Sequence, residues 1–467
     1  MAESWATLGI DLHLEPAGPG LRRGLTDALR EAVRTGRLTP GTRLPSSRTL
    51  AADLGIARNT VAEAYADLVA EGWLTARQGS GTRVATGVPA VPSAQRGPSG
   101  AAPPRPEDRR PALDLRPGTP DLASFPRAEW LRAARRALSA APNDALGYGD
   151  PRGRAELRTA LAGYLARVRG VRTDPGHVLV CGGFAHGLRI VGSVLRERGA
   201  RTVAVESYGL DVHWRLLEQE GLRTRPLPFD ELGTDTRALT DEGAVLLTPS
   251  HQFPMGVPLH PDRRAAVLDW ARRTGGLVLE DDYDGEFRYD RQPVGALQGL
   301  APDHVVHLGT ASKSLAPGLR LAWAALPPSL AQEAAAAKGR VDTCGVLDQL
   351  TLAEFLASGA YDRHVRAARL RYRRRRDALV DALAVRAPAV RATGIAAGLH
   401  AVLRLPPGTE TCAVRAAAWQ HLAVFGLSRF RHPQATTTPV DALVVGYATP
   451  PDHAWTATLE ALCRALS

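Results

Sequence analysis

The segment Leu308-Gly-Thr-Ala-Ser-Lys-Ser-Leu-Ala-Pro-Gly-Leu-Arg320 contains one of only two lysines in a chain of 467 residues. The chain has 58 lysines and arginines together, so nearly all of its strong cations are arginines. Lysine differs from arginine because a desolvated lysine can lose its proton and attack a carbonyl group to form a Schiff base. Lys313 is therefore the best candidate nucleophile, whereas Lys338, in an alanine-rich helical stretch, is expected to be an ordinary surface lysine.

Short runs that are apolar on both faces occur before and after this segment. They cover residues 177–180, 202–205, 244–247, 276–279, 305–308 and 321–324. Because helical patterns separate them, these runs predict a mainly parallel α/β sheet with crossover helices. After about Gly339 helical patterns dominate, and strands near 401–404 and 443–446 follow, so we expect a smaller second lobe.

The length of the chain and its changes in composition predict three segments. Residues 1–84 combine helical patterns with a β-hairpin whose tip is Gln78-Gly79-Ser80-Gly81. Residues 85–112 are rich in proline and alanine and are predicted to be a flexible linker. Residues 113–467 are predicted to form the α/β domain with its large and small lobes.

The formal net charge of +10 is unevenly distributed along the chain. Residues 1–84 contain ten arginines and nine acids, so this module is nearly neutral. The main excess lies at 363–376, where eight arginines surround a few apolar residues. Such a run is usually a solvated helix face or an ion-paired subunit contact. A contact with a DNA backbone stays open, because phosphate binding needs only suitably placed cations.

The sequence gives no sign of a metal site or a membrane span. The cysteines Cys181, Cys344, Cys412 and Cys463 form no Cys-x-x-Cys pair, so we expect small buried residues in a reducing compartment and no structural zinc. There is no basic head followed by an apolar run, and no apolar stretch is long enough to cross a bilayer. We expect a cytoplasmic protein, associated with the nucleoid when it is bound to DNA.

The third helical pattern of the N-terminal module begins at Arg58, and its apolar residues repeat at helical spacing, so that one face packs inward. Its exposed first turn carries Arg58, Asn59 and Thr60, and the preceding helix begins near Arg48. In a helix-turn-helix such a first turn enters the major groove, where arginine suits guanine and asparagine suits adenine. The pattern predicts DNA binding; the alternative is a helical oligomerisation module with solvated side chains.

The stretch from Gly41 to Tyr65, followed by Leu68, Glu71-Gly72 and Gly79-Ser-Gly-Thr82, resembles the winged helix of GntR-type bacterial regulators. The resemblance implies an α+β winged helix-turn-helix whose hairpin serves as the wing. The DNA contacts that it implies are Arg48, Arg58, Asn59, Thr60, Gln78 and Gly79.

Further chemical groups accompany Lys313 in the predicted α/β domain. Acids follow directly on a predicted strand in Leu279-Glu-Asp-Asp-Tyr-Asp-Gly-Glu-Phe-Arg288, and a glycine-rich turn opens a helical stretch in Gly183-Phe-Ala-His-Gly187. The hydroxyl and cationic groups near the lysine in sequence are Thr310, Ser312 and Arg320.

This combination matches the needs of pyridoxal phosphate. The lysine would hold the aldehyde, and a carboxylate must keep the pyridine nitrogen protonated; we predict Asp281 for that role and Tyr283 as partner of the ring phenolate. Backbone N–H groups at a helix start, hydroxyls and an arginine suit the phosphate.

The second domain resembles fold-type I aminotransferases in the version found in MocR/GabR regulators. The motifs that carry the resemblance are Tyr148-Gly-Asp-Pro-Arg-Gly153, Thr248-Pro-Ser-His-Gln-Phe-Pro-Met-Gly256, the acidic segment up to Tyr289, and the lysine segment. The resemblance covers nearly the whole chain and implies a head-to-tail homodimer that binds pyridoxal phosphate. The cofactor site that it implies consists of Lys313, Asp281, Tyr283, Phe184, Ala185, Thr310, Ser312, Arg320, Tyr208, His251 and Gln252.

Two positions depart from the family pattern. Many members have Glu-Asp-Pro-Gly-Tyr after the next strand, whereas this chain has Glu206-Ser-Tyr-Gly-Leu210, which makes Tyr208 the stacking candidate. Aminotransferases clamp the substrate α-carboxylate with an arginine near the C-terminus, but this chain has Val444 in that place. A carboxylate would need another cation, such as Arg429 or Arg431, or would not bind productively.

These features predict a pyridoxal-phosphate-dependent transcriptional regulator that senses the cofactor itself or an amino-acid or amine effector. The alternative is a catalytically active aminotransferase fused to a DNA-binding domain, in which Lys313 moves a proton. A vestigial domain that serves only for dimerisation is the third possibility. Val444 argues against the second function, and the completeness of the cofactor set argues against the third.

Overall fold

The computed structural model describes residues 20–77, 81–86, 113–289, 294–339 and 344–467. Contacts between Cα atoms divide the chain into two compact units, Met1–Arg109 and Arg110–Ser467. Each unit has its own hydrophobic core. Most of the predicted linker, and the predicted DNA contacts Gln78 and Gly79, lie outside the described residues.

The described part of the first unit consists of helices followed by an antiparallel hairpin. Its elements are α1 (Leu21–Arg34), α2 (Ser47–Leu54), α3 (Arg58–Ala70), β1 (Leu74–Arg77) and β2 (Gly81–Val84). α2 begins where the Ser46 hydroxyl accepts a 3.1 Å hydrogen bond from the Thr49 backbone N–H, and it ends at Gly55 in the left-handed conformation. Val61 and Leu68 of α3 are buried in the core, as the helical spacing predicts. The expected winged helix-turn-helix fold is confirmed.

The second unit contains both short and long strands. They are β3 (Leu113–Asp114), β4 (Val178–Cys181), β5 (Thr202–Glu206), β6 (Arg223–Leu227), β7 (Phe229–Asp230), β8 (Gly233–Thr234), β9 (Ala244–Leu247), β10 (Leu277–Asp281), β11 (Val305–Thr310), β12 (Ala322–Ala325), β13 (Arg391–Thr393), β14 (Ala401–Arg404), β15 (Leu422–Ala423), β16 (Phe425–Gly426) and β17 (Ala442–Val445).

Helices cover the faces of the sheets and build much of the smaller lobe. They are α4 (Arg127–Ala140), α5 (Ala155–Arg169), α6 (Phe184–Glu197), α7 (Asp211–Gln219), α8 (Pro261–Thr274), α9 (Pro328–Lys338), α10 (Val346–Ala357), α11 (Ala360–Arg386), α12 (Glu410–Trp419) and α13 (Asp452–Leu466). Among the described residues, none of the helices combines the length and the apolar character that crossing a membrane requires.

The large lobe is built on a sheet that has seven strands within the described ranges, in the order β4-β12-β11-β10-β9-β5-β6. β12 is antiparallel to both of its neighbours, and the other pairs are parallel. The predicted mainly parallel α/β sheet is therefore confirmed. Sequence analysis missed β6, because Arg223–Leu227 contains two arginines and a proline rather than an apolar run.

The small lobe is an antiparallel sheet in the order β13-β14-β17-β16, covered by the C-terminal helices. β15 pairs in parallel with β3, so the first strand of this unit joins the small lobe rather than the large one. The sequence pattern did not predict this return, because β3 is only two residues long.

The arginine-rich run lies on α11 and is not a uniformly solvated face. Arg375 is only 3 % exposed and binds Asp121 at 3.1 Å, the Pro450 carbonyl oxygen at 2.6 Å, and Asp452. Its guanidinium therefore joins α11 to the start of the unit and to the beginning of α13 with the residues just before it. The exposed arginines of the run are Arg363, Arg366, Arg373 and Arg374.

Two smaller expectations are wrong. Lys338 is 9 % exposed rather than a surface lysine, because it ends α9, which packs against α6 and β4. Cys412 is exposed on α12, whereas the other three cysteines are buried as expected.

We predict that Arg375→Met destabilises the second unit strongly, because it leaves the Asp121 carboxylate buried without its cation. Removing one partner of a buried ion pair costs about 3–5 kcal/mol. Urea unfolding of the full chain, monitored by tryptophan fluorescence, should show a clearly lower midpoint urea concentration for the variant than for the parent. Arg373→Met is the matched control, since the exposed Arg373 lies 3.8 Å from Asp377 and should be nearly neutral. Equal midpoints for the two variants would contradict the structural role of Arg375.

Candidate functional site

Two neighbouring parallel strands end at the same edge of the large sheet and bring the predicted lysine and acids together. Asp281 ends β10 opposite Leu308 of β11, and β11 continues to Thr310, shortly before Lys313. Asp281 and Lys313 line the same cavity of about 360 Å³. They meet because the carboxyl ends of parallel strands lie at the same edge of a sheet. Ligand sites in such sheets form at that edge.

Lys313 has the environment of a nucleophile. Its Nζ donates a 2.6 Å hydrogen bond to the Gly118 carbonyl oxygen. Burial lowers the pKa of Lys313 from its ordinary value, although the negative charges of Asp281 and Asp284 oppose the change. A larger fraction of this amine is therefore uncharged near neutral pH than in an exposed lysine, which favours attack on a carbonyl group.

The five acids of residues 280–286 are all buried. Four of them have hydrogen-bond partners. Glu280 accepts from the N–H groups of Leu297 and Gln298, and Asp282 contacts Arg169 and His307. Asp284 contacts His251, and Glu286 accepts from the Tyr361 hydroxyl. Asp281 differs, because its Oδ1 has no hydrogen-bond partner among the described residues. Burial raises the pKa of Asp281 well above its ordinary value, against the effect of Lys313. A donor placed in the cavity would satisfy this oxygen.

The start of α6 borders the cavity. Phe184 opens the helix after Gly183, which has φ 101 and supplies no side-chain cap. The first N–H groups of a helix lack intrahelical partners, so the backbone at Phe184 and Ala185, which line the cavity, suits an anion.

Arg320 lies beside this helix start and donates a 2.5 Å hydrogen bond to the Gly182 carbonyl oxygen. Its backbone is left-handed, with φ 53 and ψ 39, a conformation that is costly for arginine and is found at functional positions. A side chain at Gly183 would collide with the guanidinium group, so the glycine permits the close approach. Thr310 and Ser312, joined by a 2.9 Å hydrogen bond, also line the cavity. Hydroxyls, an arginine and a helix start therefore line the same cavity, and all three suit an anion.

Aromatic rings form another part of the cavity wall. Tyr208 lines the cavity, but its ring packs edge-on against Phe229, with 6.1 Å between centroids. Phe184 and His213 lie 4.6 Å apart with 35° between their planes, and both line the cavity. Burial, followed by the charge of Lys313, lowers the pKa of His213 to about 4, so the imidazole is neutral near neutral pH.

Sequence analysis missed His213 as a candidate for stacking on a ligand ring. The residue lies beyond the Glu206–Leu210 stretch in which the family pattern has its aromatic residue. Its position in the first turn of α7, the helix that follows β5, is the signal that could have found it.

His251 and Gln252 do not line the cavity but lie behind its wall. His251 Nδ1 is 2.8 Å from Asp284 Oδ2 and 3.1 Å from the Tyr283 hydroxyl, and Tyr283 itself lines the cavity. Gln252 Nε2 donates a 2.8 Å hydrogen bond to the Tyr208 carbonyl oxygen. Both residues therefore contact residues of the cavity wall without lining the cavity themselves.

The residues considered for binding a substrate carboxylate differ in whether they line the cavity. Val444 is fully buried in β17, and Arg431 does not line the cavity. Arg429 does line it, together with Phe425. Sequence analysis could not choose between the two arginines, since they are only two residues apart.

In the described part of the first unit, the carboxylates that form ion pairs lie away from the starts of α2 and α3. Arg22 of α1 binds Asp67 of α3 at 2.6 Å, and Arg30 binds Glu71 at 2.9 Å. Within the described residues, no carboxylate pairs with Arg48 or Arg58. The exposed side chains at the starts of α2 and α3 are Arg48, Arg58 and Asn59, and Thr60 is half-buried. A nearly neutral module therefore still presents a positive surface at the predicted DNA-contacting end.

Comparison with known families agrees with this division. Residues 21–84 match the bacterial regulatory proteins of the gntR family. Residues 111–436 match aminotransferase class I and II.

Two relatives match more than three quarters of the chain. The HTH-type pyridoxine biosynthesis transcriptional regulator PdxR of Corynebacterium glutamicum is 36% identical over 401 residues, covering 84% of this chain and 85% of the relative. The probable rhizopine catabolism regulatory protein MocR of Rhizobium meliloti is 34% identical over 385 residues, covering 77% and 76%.

Solved aminotransferases share the fold of the second unit. LysN, an α-aminoadipate aminotransferase from Thermus thermophilus complexed with N-(5'-phosphopyridoxyl)-L-leucine, is 28% identical with a TM-score of 0.66, covering 76% of this chain and 92% of LysN. The Pyrococcus horikoshii kynurenine aminotransferase has a TM-score of 0.67 at 24% identity, covering 76% and 89%, and shows the fold alone.

The fold, the site and these matches define a DNA-binding transcriptional regulator that carries a pyridoxal-phosphate-dependent aminotransferase-like domain. The chain belongs to the MocR/GabR type of GntR-family regulators. The expected fold, cofactor and class of function are thereby confirmed.

The residues of the cavity fit pyridoxal phosphate. The unpartnered Oδ1 of Asp281 suits a protonated pyridine nitrogen, and the place between α6 and Arg320 suits the phosphate. The cofactor supplies a carbonyl carbon that amines attack and a ring that withdraws electrons. Lys313 would hold its aldehyde end.

We predict that borohydride reduction of the protein with pyridoxal phosphate gives an adduct at Lys313. Mass spectrometry can locate it without ambiguity, because Lys338 is the only other lysine of the chain. Since burial lowers the pKa of Lys313, capture by the cofactor-free protein should rise with pH around a midpoint below the value of about 10.4 for a free lysine. Lys338→Arg should behave like the parent, and Lys313→Ala should give no adduct. Labelling that persists in Lys313→Ala would contradict the assignment.

Proposed function

We propose that this regulator changes its affinity for promoter DNA when a ligand binds at the Lys313 cavity. The ligand is pyridoxal phosphate itself or an amino-acid or amine effector that binds beside it. The observation that carries the proposal is a cavity whose lining residues suit the cofactor, in a chain whose first domain is a DNA-binding module. A ligand shifts such an equilibrium only if it binds one domain arrangement more tightly than another.

Pyridoxal phosphate as the signal is supported by two observations. The relative with 36% identity is named as a regulator of pyridoxine biosynthesis. Val444, where aminotransferases have their carboxylate arginine, is buried in the small-lobe sheet and offers nothing to a substrate carboxylate. Regulation of vitamin supply would therefore need no ligand other than the cofactor.

The rival function is an active aminotransferase fused to a DNA-binding domain. It would use the same cavity, with Lys313 as the group that moves protons. Val444 argues against it, because substrates would lack the usual bidentate clamp. Multiple-turnover transamination between ordinary amino and keto acids would establish the rival instead.

We propose the following roles for the site residues. Asp281 pairs with the pyridine nitrogen, Tyr283 bonds the ring phenolate, and Tyr208 or His213 contacts the ring face. The phosphate is bound by the backbone at Phe184 and Ala185 and by Thr310, Ser312 and Arg320. His251 and Gln252 hold Tyr283 and the Tyr208 backbone in place. The DNA contacts are Arg48, Arg58, Asn59 and Thr60, with Gln78 and Gly79 of the wing.

We also propose the domain limits 1–84, 85–112 and 113–467, a cytoplasmic location, and a head-to-tail homodimer. The dimer is supported by exposed apolar side chains on and near α4, which a monomer would leave in water. They include Leu131 and Leu138, two turns apart on α4, Leu146, and the fully exposed Tyr148.

For the DNA-binding domain, we predict that Arg58→Ala weakens binding to the DNA upstream of the regulator's own gene. Losing a bidentate arginine–guanine contact should reduce the affinity by about ten- to a hundredfold. Fluorescence anisotropy at fixed salt measures the effect. Arg34→Ala is the matched control, because Arg34 is exposed but paired with Glu31 at 2.7 Å in α1. An equal loss in both variants would indicate a general charge effect rather than a contact by α3.

For the effector domain, we predict that removing and restoring pyridoxal phosphate changes the affinity for the same DNA. The change should be absent in Lys313→Ala, because that variant cannot hold the aldehyde covalently. The same anisotropy titration, with and without cofactor, provides the test. Tight binding that is indifferent to the cofactor would exclude pyridoxal phosphate as the signal and leave amine effectors of the loaded protein.

A further inference from the structure

Arg429 brings a positive charge to the wall of the Lys313 cavity. Its guanidinium lies over the ring of Phe425, 4.5 Å from the ring centroid, and both residues line the cavity. Within the part of the chain that the structure describes, no carboxylate forms an ion pair with Arg429. Stacking on an aromatic ring orients a guanidinium without using its N–H donors, so those donors remain free for a ligand.

The neighbouring Arg431 has a different role. Its guanidinium donates to the carbonyl oxygens of Ala435 and Thr437, at 2.5 and 2.8 Å, and its backbone bridges to that of Tyr208. It therefore ties the 431–437 segment together and has its hydrogen bonds inside the protein. Of these two arginines, only Arg429 is available to something that enters the cavity.

The position of Arg429 relates directly to the missing clamp. Phe425 pairs with Val444 across the β16–β17 ladder, so the ring that carries Arg429 is a cross-strand neighbour of the residue that replaces the usual arginine. Val444 is fully buried among apolar residues. A cation on β16 or in the turn after it would therefore lie on the same side of the cavity, the side formed by the small lobe, as a cation on β17.

We propose that Arg429, held by Phe425, binds the acidic group of a small amine ligand in the Lys313 cavity. This inference rests on the proposed function, and it narrows the amine effectors to those that carry a carboxylate, phosphonate or phosphate. The amine end lies toward Lys313, and the acidic end lies toward the small lobe. Arg429 acts by ion pairing and hydrogen bonding alone. An alkylamine without an acidic group therefore makes no such contact with Arg429.

The test uses the full-length, cofactor-loaded protein and follows ligand binding by the absorbance of the bound cofactor. Straight-chain ω-amino acids of increasing length, the matching aminoalkylphosphonates and the matching alkylamines are titrated against the parent and Arg429→Gln. A charge-assisted hydrogen bond predicts that the variant binds acid-bearing amines about ten- to a hundredfold more weakly, with alkylamines unchanged. The carboxylate and phosphonate series then show which acid the site prefers.

Arg223→Gln is the matched control. Arg223 is exposed and shares an outer surface cleft with Arg429, but it does not line the cavity. The control substitution therefore removes the same charge from the same side of the protein. Its affinities should equal those of the parent in every series, while Arg429→Lys should retain part of the preference for acids.

Three outcomes would overturn the proposal. They are a parent protein that binds no acid-bearing amine, an Arg429→Gln variant that loses acids and alkylamines equally, and an Arg223→Gln variant that loses as much as Arg429→Gln. None of these depends on DNA. The response of DNA affinity to the cofactor is measured separately, so the proposed regulatory function and the role of Arg429 can fail independently.

Discussion

The burial of five acids in residues 280–286 is the constraint on which the cofactor site depends. Burying an unpaired carboxylate is costly, so each acid must be compensated or must stay protonated. Asp282 points away from the cavity to Arg169, at 2.6 Å, and to His307, at 3.0 Å. Burial opposes its ionisation, but Arg169 and then His307 outweigh this effect and lower the pKa of Asp282. Asp281, the last residue of β10, lines the cavity instead, and its Oδ1 has no partner among the described residues, so that a cationic ligand ring could supply one.

The DNA-binding unit solves a different problem of charge. Most of its described acids lie on α1, on α3 or directly after α3, where they pair with the arginines of α1; Asp53 on α2 is the exception within the described residues. Among the described residues, Arg48 and Arg58 at the starts of α2 and α3 therefore have no carboxylate partner, although the module is nearly neutral. Net charge over a domain is a poor guide to nucleic-acid binding in such a case, because the arrangement of the charges decides what phosphate or base edges meet.

Much of the fold and of the site follows from sequence. Lys313 stands out because lysine is so rare here, and the acids that end a strand and the glycine-rich turn that opens a helix have local signatures. These patterns work because strand burial, helix starts and the chemistry of lysine depend on neighbouring residues. β3 and β6 escaped prediction, since a two-residue strand and an arginine-rich edge strand have no apolar period. Lys338 was misjudged because the packing of α9 against the large sheet, rather than its composition, buries the residue.

The sequence by itself determined the order of the two domains and showed a valine at position 444 in place of the usual arginine. It also singled out Lys313 as the candidate nucleophile and Asp281 as the candidate acid for the pyridine nitrogen. Only the tertiary structure decided which residues share the cavity. It placed His251 and Gln252 behind the wall, brought His213 beside Phe184, and separated Arg429 from Arg431 although they are two residues apart. The physical reason is that a cavity wall is assembled from elements distant in the chain. Which way a side chain points there depends on packing and hydrogen bonds that no local pattern encodes.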